Sequence, residues 1–566
     1  MLKLIPQVKN IRYFDGFLSK KAIVLESSID DTRISRAVGL LPNDNDGAPL
    51  SIEMGAEGER YELWIEEDSL RIKGDGPAGV FYAIQTLRQI LTHEQIPCLH
   101  IEDKPDFPYR GFYHDATRGK VPTVESIKKL IDEMAYFKLS SLQLYVEHTF
   151  EFEETKDLIH KTGYLSAVDI REIDAYCEEN FIEFIPSLAT FGHLFELLNQ
   201  EKYKHLNVLK DYEASPNRWR DRMEHHTIDP MKEESFEVIK SLIDQYYPNF
   251  KTDYFNICCD ETFDLVRVYR DTEHNPSRLY IDFVKKIISH LRSKGKTAMM
   301  WADILLAHPE TISELPEDTV FLNWRYRPDP AEEQFSKLAE LGRKQIVCPG
   351  TSIWNRFCER LSISEKNIIR VADLGYKHGA LGVLNTNWGD FGHTCSMELS
   401  MYGMVLGAAK AWDISTETGS DLDSRVDFLL YQQEGAMAVL REVSDLNDKI
   451  NYRNFVVNYF IKEMGSAEAT SSVLEATLYD IQQSFIKLRD RLSTERWTKD
   501  RYREEMLLSA EAVCMVAELE SIRQGEKVDR LTSTEDWLKK FRESWMKSNK
   551  ESELSRIESF FRACEN

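Results

Sequence analysis

The sequence predicts an α/β protein: a (β/α)8 barrel preceded by a small α+β domain and followed by a helical domain. Three observations predict this fold. Short alternating segments and one helix open the chain, strand-and-helix units repeat through its middle, and strand signals largely disappear after Trp412. We place the domains at residues 1–98, 99–412 and 413–566, a division that suits a chain of 566 residues.

The first domain is predicted from two kinds of pattern. The segments YELWIEE and SLRIKGD alternate apolar and polar residues, as half-buried strands do. The stretch from Val80 to Leu91 has helical spacing, and the run Gly76-Pro77-Ala78-Gly79 before it is typical of a turn. A sheet with at least one helix packed on it is therefore expected.

The middle of the chain supplies the barrel. The predicted strands, in order, are GFYHDA, SLQLYV, IEFIPS, YFNICC, TAMMWA, VFLNW, QIVCPG and GVLNTN, with amphipathic helical stretches such as VESIKKLIDEMAYFK between them. Eight strands alternating with helices is the number in a (β/α)8 barrel. A doubly wound open sheet shares the alternation, so the count alone leaves that alternative open.

The last part of the chain is predicted to be helical. Segments such as VDFLLYQQEGAMAVLREV and REEMLLSAEAVCMVAELESIRQ carry Glu, Lys, Arg, Leu and Ala at helical spacing. We expect this domain to serve packing or dimerisation rather than chemistry.

Composition excludes several classes of function. The net charge of −24 argues against a nucleic-acid partner, which needs a basic surface. No stretch approaches the roughly 20 apolar residues of a membrane span, so no membrane partner is expected. The amino-terminal segment has no sustained apolar core, and the nine cysteines show no metal-ligand spacing. These features together predict a cytoplasmic protein with reduced thiols.

Polar and aromatic residues collect where the predicted barrel strands end, which is where (β/α)8 barrels carry their active sites. Each residue taken alone has an ordinary structural explanation, such as packing for a tryptophan or an ion pair for an arginine. Aromatic walls combined with carboxylates are, however, how a protein site holds a sugar. The first strand is preceded by Arg110, and the residues at or just after the strand ends are His114, Asp115, Arg118, His193, Asp260, Glu261, Trp301, Asp303, Trp324, Trp354, Trp388 and Asp390.

The adjacent pair Asp260-Glu261 indicates which glycosidase mechanism the site would use. Most glycosidases place two carboxyl groups across the scissile bond, about 5 Å or about 6.5–9.5 Å apart. Consecutive strand residues point to opposite sides, so a neighbouring pair is poorly placed for that arrangement. The pair better suits one acid and one carboxylate that holds a nucleophile supplied by the substrate itself.

These motifs resemble glycoside hydrolase family 20. The segment FNICCDETFDL is similar to the family's Asp-Glu motif, PYRGFYHDATRGKVP to its first barrel strand, and ATFGH to its third-strand motif. The segment NWGD resembles the family's final Trp-Gly-Glu, and GPAGVFYAIQTLRQIL resembles a helix of the domain that precedes the barrel. The resemblance covers roughly residues 60 to 400.

The resemblance implies a role for each site residue. Arg110 would bind sugar hydroxyls O3 and O4, and Asp390 would bind O4 and O6. His193 would lie near the acid. The acetamido pocket would be walled by Trp301, Trp324 and Trp388, while Trp354 occupies the region of the family's acetamido-binding tyrosine, for which Tyr326 is a possible substitute.

The resemblance also implies an activity. The chain would be an exo-β-N-acetylhexosaminidase that removes terminal β-linked N-acetylglucosamine or N-acetylgalactosamine from glycans with retention of configuration. Glu261, its pKa raised by burial, would be the acid, and Asp260 would orient the acetamido group. No metal or organic cofactor is expected, and a homodimer is a possible assembly. Two alternatives stay open: a catalytically silent sugar-binding barrel, and an O-linked N-acetylglucosamine hydrolase of a neighbouring family, which typically uses paired aspartates.

Four departures from the family pattern stand out. Cys258 and Cys259 replace the usual glycines before the Asp-Glu pair, and a thiol there could oxidise. Asp390 is one methylene shorter than the usual Glu. The second strand, LQLYVEHTFEF, lacks the His-Trp motif that is common in the family. The family's acetamido-binding tyrosine has no clear counterpart in this chain.

Overall fold

The computed structural model describes residues 2–158, 163–464, 471–474 and 476–565. The predicted architecture is confirmed: a small sheet domain, a closed barrel of eight parallel strands and a helical carboxyl-terminal region follow one another along the chain. The exact domain boundaries stay a prediction. None of the described helices is long and apolar enough to cross a membrane.

Six strands form the amino-terminal sheet in the order β1-β6-β4-β5-β3-β2. They are β1 Asn10–Phe17, β2 Ile23–Leu25, β3 Ala48–Met54, β4 Tyr61–Ile65, β5 Leu70–Gly74 and β6 Pro97–Asp103, with α1 Thr32–Val38 and α2 Pro77–Ile90. Helix α2 begins at Pro77, since proline suits the first turn of a helix. Nearly every α2 residue is buried, because the helix lies between the sheet and the barrel.

All eight predicted barrel strands are present, and they pair in parallel around a closed ring. They are β7 Tyr109–Asp115, β8 Ser141–Val146, β9 Glu183–Leu188, β10 Tyr254–Asn256, β11 Thr297–Trp301, β12 Val320–Trp324, β13 Gln345–Cys348 and β14 Gly382–Asn387. Closure occurs between β14 and β7, over six residue pairs from Gly382↔Tyr109 to Asn387↔His114. The open-sheet alternative is therefore excluded.

The helices that surround the barrel are of uneven length. They are α3 Val124–Tyr136, α4 Ala167–Glu179, α5 Phe195–Leu198, α6 Arg218–Arg222, α7 Glu233–Tyr246, α8 Phe263–Tyr269, α9 Pro276–Ser293, α10 Asp303–Ala307, α11 Glu333–Glu340, α12 Leu361–Lys377 and α13 Met401–Trp412. Short 3-10 turns occur at Lys204–Leu206, Tyr247–Asn249, Pro309–Glu314 and Met397–Ser400. The chain between β9 and α7 is a long excursion over the carboxyl end of the barrel, and it contributes to the site described below.

The carboxyl-terminal region is helical. Its helices are α14 Ser420–Val426, α15 Ala436–Asn447, α16 Tyr452–Met464, α17 Leu478–Thr494, α18 Asp500–Arg523, α19 Thr534–Ser548 and α20 Leu554–Ala563. The segment VDFLLYQQEGAMAVLREV, which has helical spacing, is interrupted by a π-helical turn, Asp427–Tyr431, and a loop. Gln432 and Gly435 adopt φ values of +53° and +79°, which end one helix before the next begins.

The end of the chain binds the loop that follows β7. Ser552 Oγ donates to the carbonyl oxygen of Gly119 at 2.7 Å, and Pro122 forms a β-bridge with Asn549. Arg222 of α6 donates to Glu553 at 3.0 Å and to Glu196 at 2.7 Å. The carboxyl-terminal region therefore supports loops at the carboxyl end of the barrel.

Candidate active site

Asp260 and Glu261 lie just beyond β10 and face the same histidine. One carboxylate oxygen of each lies 3.3 Å from His193 Nε2. The strand ends at Asn256, and the backbone then turns through positive φ angles at Cys258, Cys259 and Glu261. The alternation of a strand therefore does not apply to the pair, and the expectation that its side chains point to opposite sides is wrong.

Cys258 and Cys259 adopt a conformation that usually favours glycine. Their φ angles are +55° and +63°, which explains why glycine is common at such positions. Their thiols lie 3.4 Å from Ser187 Oγ and Thr190 Oγ1. Burial raises the pKa of both thiols well above the ordinary value, so they stay protonated and unreactive. The structure thus offers no support for the oxidation that the sequence suggested.

His193 is placed by the turn after β9. It has a φ of +58°, and the Gly192 before it leaves no room for a side chain, because a Cβ there would lie 2.7 Å from the carbonyl oxygen of Asp260. Burial lowers the pKa of His193, but the contacts with Asp260 and Glu261 outweigh it and raise this pKa to about 10. The buried imidazole is therefore cationic in the ligand-free site.

His225 is a site residue that the sequence analysis missed. Its Nδ1 lies 3.3 Å from Glu261 Oε2, and its ring meets the His193 ring edge-on at 4.9 Å between centroids. It belongs to the long excursion between β9 and α7, where no strand end signals its position. Burial and the charge of His193 lower the pKa of His225 to about 4, so it is neutral near pH 7.

The charge state of Glu261 differs from the expectation. Burial raises its pKa, but the contact with His193 and the charges of His193 and Arg118 outweigh burial and lower the pKa to about 2. The raised pKa predicted from the sequence is therefore wrong for the ligand-free protein. There the carboxylate is ionised, and His193 carries a proton 3.3 Å away.

Asp303, two residues after β11, supports the loop that carries Glu261. Its Oδ2 accepts the backbone N–H of Glu261 at 3.0 Å. Burial and the nearby charges of Asp260 and Glu261 raise the pKa of Asp303 to about 7. The carboxyl group of Asp303 thus holds the backbone of Glu261 in place.

Aromatic side chains wall the other side of the site. Trp388 Nε1 donates to the Tyr326 hydroxyl at 2.6 Å, and the Tyr326 ring stacks on Trp324 with centroids 5.1 Å apart. Trp354 contacts Tyr326 at 5.1 Å. Trp301 is fully buried behind Trp388, at 5.9 Å between centroids. Four of these five rings, all but Trp301, retain surface that a ligand can contact.

Arg118 lies between Trp388, His193 and Asp390. It donates to Asp390 at 2.7 Å and to Glu147 at 3.4 Å, and its Nη2 lies 3.3 Å from His193 Nδ1. Its guanidinium also lies over the Trp388 ring at 5.0 Å. Arg118 and Asp390 together offer a donor and an acceptor to hydroxyl groups of a ligand.

Arg110 is not part of this site, and its assignment to sugar hydroxyls is corrected. It lies near the amino-terminal end of β7, at the opposite end of the barrel, with no exposed surface. Its guanidinium donates to Glu59 at 2.8 and 3.0 Å, to Tyr82 at 2.8 Å and to the carbonyl oxygen of Lys138 at 3.0 Å. Arg110 joins the amino-terminal domain to the barrel.

Models of one protein family match the amino-terminal domain and most of the barrel. The model for glycosyl hydrolase family 20, catalytic domain, matches residues 107–372, and that for domain 2 of the same family matches residues 4–104.

Two of the relatives that match this chain in sequence are named beta-hexosaminidases. A beta-hexosaminidase of Porphyromonas gingivalis is 26% identical over 364 residues, which cover 57% of this chain and 44% of the relative. A beta-hexosaminidase of Emericella nidulans is 26% identical over 372 residues, covering 59% of each. The chain thus spans about half the length of these relatives.

Solved structures share the fold. A chitobiase of Flavobacterium johnsoniae superposes with a TM-score of 0.62 at 17% identity, covering 100% of this chain and 99% of the other. An exo beta-N-acetylglucosaminidase of Vibrio harveyi, solved with N-acetylglucosamine, gives a TM-score of 0.58 at 18% identity, covering 75% and 76%.

Proposed function

Because the chain belongs to glycosyl hydrolase family 20, we propose that it is an exo-acting β-N-acetylhexosaminidase with Glu261 as its acid and base. The observation that carries this proposal is the convergence of Asp260 and Glu261 on His193 at the carboxyl end of the barrel. Beta-hexosaminidases among the relatives support the same activity. The substrate would be a glycan or glycoconjugate with a terminal N-acetylhexosamine.

The proposed mechanism gives the two carboxyl groups different tasks. His193 first passes the proton that it carries in the ligand-free protein to Glu261. Glu261 donates this proton to the glycosidic oxygen, while the carbonyl oxygen of the substrate's 2-acetamido group attacks the anomeric carbon. The leaving alcohol departs, and a cyclic oxazolinium forms. Asp260 accepts a hydrogen bond from the acetamido N–H and stabilises the positive charge on that ring. Glu261 then takes a proton from water as the water opens the ring, and configuration is retained.

The surrounding residues fit the two ends of a hexosamine. Trp324, Tyr326 and Trp388 would enclose the acetamido group, and the Tyr326 hydroxyl, which accepts from Trp388, still has a proton to donate. Arg118 and Asp390, paired at 2.7 Å, would bind the hydroxyls at the far edge of the ring. Arg118 therefore takes the role that the sequence analysis gave to Arg110.

The test is release of p-nitrophenol from the β-N-acetylglucosaminide, the β-N-acetylgalactosaminide and the plain β-glucoside. We expect turnover of one or both acetamido sugars and none of the glucoside, since the glucoside lacks the internal nucleophile. Glu261→Gln should lower kcat by about 100-fold to 10,000-fold, the usual contribution of a general acid. Equal turnover of the glucoside would reject the substrate-assisted mechanism, and binding of N-acetylglucosamine without any turnover would favour a sugar-binding barrel.

A further inference from the structure

Two histidine nitrogens converge on the carboxylate of Glu261 without forming hydrogen bonds to it. His193 Nε2 and His225 Nδ1 each lie 3.3 Å from Glu261 Oε2, and the three atoms fall within 4.8 Å of one another. Both nitrogens are buried and have no hydrogen-bond partner of acceptable geometry. Buried polar atoms are normally satisfied, so this arrangement calls for an explanation.

We propose that His193, His225 and Glu261 form a binding site for a divalent transition-metal ion of the zinc type, and that the bound ion inhibits the enzyme. Zinc binds nitrogen at about 2.0–2.1 Å and carboxylate oxygen at about 2.0–2.2 Å, so neighbouring ligand atoms of a tetrahedral site lie about 3.3 Å apart. Both nitrogen-to-oxygen distances in the cluster have this value. Asp260 Oδ2, 3.3 Å from His193 Nε2, or a water can complete the coordination.

The donor set selects the class of ion. Two imidazole nitrogens and one carboxylate suit zinc and its late transition-metal neighbours, whereas magnesium and calcium prefer sites made of oxygen. The carboxyl groups of Asp260, Asp303 and Glu147 surround the cluster and favour a cation. Among these side chains Arg118 supplies the opposing positive charge.

Binding has two costs. A zinc ion displaces the proton that His193 carries on Nε2 in the ligand-free site, and the ring proton that stays on Nδ1 faces Arg118 Nη2 at 3.3 Å. This is a longer contact than the 2.7 Å between Arg118 and Asp390, so Arg118 can give it up while keeping its stronger partner. The site is therefore expected to bind zinc less tightly than a structural zinc site, whose ligands are already oriented by acceptors.

A second group of potential ligands provides a control. Glu62, His100 and Glu102 lie together on the amino-terminal sheet. Arg60, however, lies 3.4 Å from both of these glutamates, and its positive charge disfavours a metal cation there. His100→Asn removes the only imidazole of that group and should leave zinc binding unchanged.

Binding is tested first by calorimetric titration of the full chain with ZnCl2. We expect one ion per chain for the wild type and for His100→Asn. His225→Asn and Glu261→Gln should each weaken binding by at least tenfold, because each removes a ligand and even outer-shell partners are worth about 10-fold to 100-fold. Two variants are used so that a folding defect in one leaves the other decisive. Unchanged affinity in a folded His225→Asn or Glu261→Gln protein would overturn the site.

Inhibition is tested separately, and this part rests on the proposed function. Zn²⁺ should inhibit hydrolysis of the acetamido substrate by the wild type and by His100→Asn at equal concentrations. For His225→Asn the half-inhibitory concentration, relative to that variant's own rate, should rise at least tenfold. Equal inhibition by Mg²⁺, or an unchanged value in His225→Asn, would overturn the proposal. A chain that binds zinc but hydrolyses nothing would reject the proposed function and retain the site.

Discussion

The backbone N–H of Glu261 donates to the carboxyl group of Asp303 at 3.0 Å. Glu261 has a φ of +49°, so this contact fixes a backbone conformation that a non-glycine residue rarely adopts. Asp303 acts on the site through the backbone of Glu261 and is therefore a positioning residue.

This contact predicts different results for two substitutions. Asp303→Asn keeps an oxygen that can accept the N–H, so kcat should fall by less than about tenfold. Asp303→Ala removes the acceptor, and kcat should fall by about 100-fold, the size of effect that a displacement of about 1 Å can produce. KM should change little in both. Equal losses in the two variants, measured on the p-nitrophenyl substrate, would show that the hydrogen bond does not position Glu261.

Substitutions of Arg110, in β7, and of Arg118, just after β7, should separate effects on substrate binding from effects on stability. Arg118→Met removes the donor beside Asp390 and should lower kcat/KM by about 100-fold to 1000-fold, as loss of a buried charged partner does. Arg110→Met should leave KM unchanged in the folded fraction. A raised KM in Arg110→Met would restore Arg110 to the sugar site and contradict the structure.

The ion pair between Glu59 and Arg110 should contribute to stability. Glu59→Gln leaves the fully buried guanidinium with carbonyl and tyrosine partners but without its counter-charge. Because Glu59 is 28% exposed, we expect a loss of about 2 kcal/mol in the free energy of unfolding, below the range for fully buried pairs. Urea denaturation measures it, and a loss below about 0.5 kcal/mol would mean that the pair adds no net stability.

Acid should weaken the attachment of the carboxyl-terminal segment. Burial raises the pKa values of Glu196 and Glu553, but Arg222 and neighbouring cations outweigh it and lower both. A carboxyl group whose pKa falls on folding stabilises the protein above its unfolded pKa of about 4.3 and loses this contribution as pH falls towards its folded pKa.

We therefore expect Tm to drop between pH 5 and pH 3, and Glu553→Gln to reduce that drop while lowering Tm at pH 7. Scanning calorimetry at several pH values provides the measurement. Parallel acid slopes for the wild type and Glu553→Gln would exclude Glu553 as a source of the acid sensitivity.

The barrel was predictable because its strands are apolar, short and regularly separated by amphipathic helices. Asp260 and Glu261 were predictable as members of the site, since they directly follow such a strand. The shared orientation of their side chains was not predictable. It depends on positive φ angles at Cys258 and Cys259, and the sequence has no glycine there to indicate such angles.

Two further features of the site were not predicted from the sequence: the position of its arginine and the presence of His225. Arg110 lies near the amino-terminal end of β7 and Arg118 follows its carboxyl end. The family resemblance points to Arg110, although active-site groups of such barrels collect at the carboxyl end. His225 lies in a long irregular excursion whose path depends on contacts distant in sequence, including the hydrogen bond from the Thr227 backbone to Asp264 at 3.0 Å. No local periodicity could have placed it beside Glu261.

The left-handed backbone at Cys258 and Cys259 has an evolutionary consequence. Each non-glycine residue held there costs about 1 kcal/mol, and each buried thiol returns a similar amount through packing. Exchange between cysteine and glycine at either position is thus close to neutral, and the two can change one at a time.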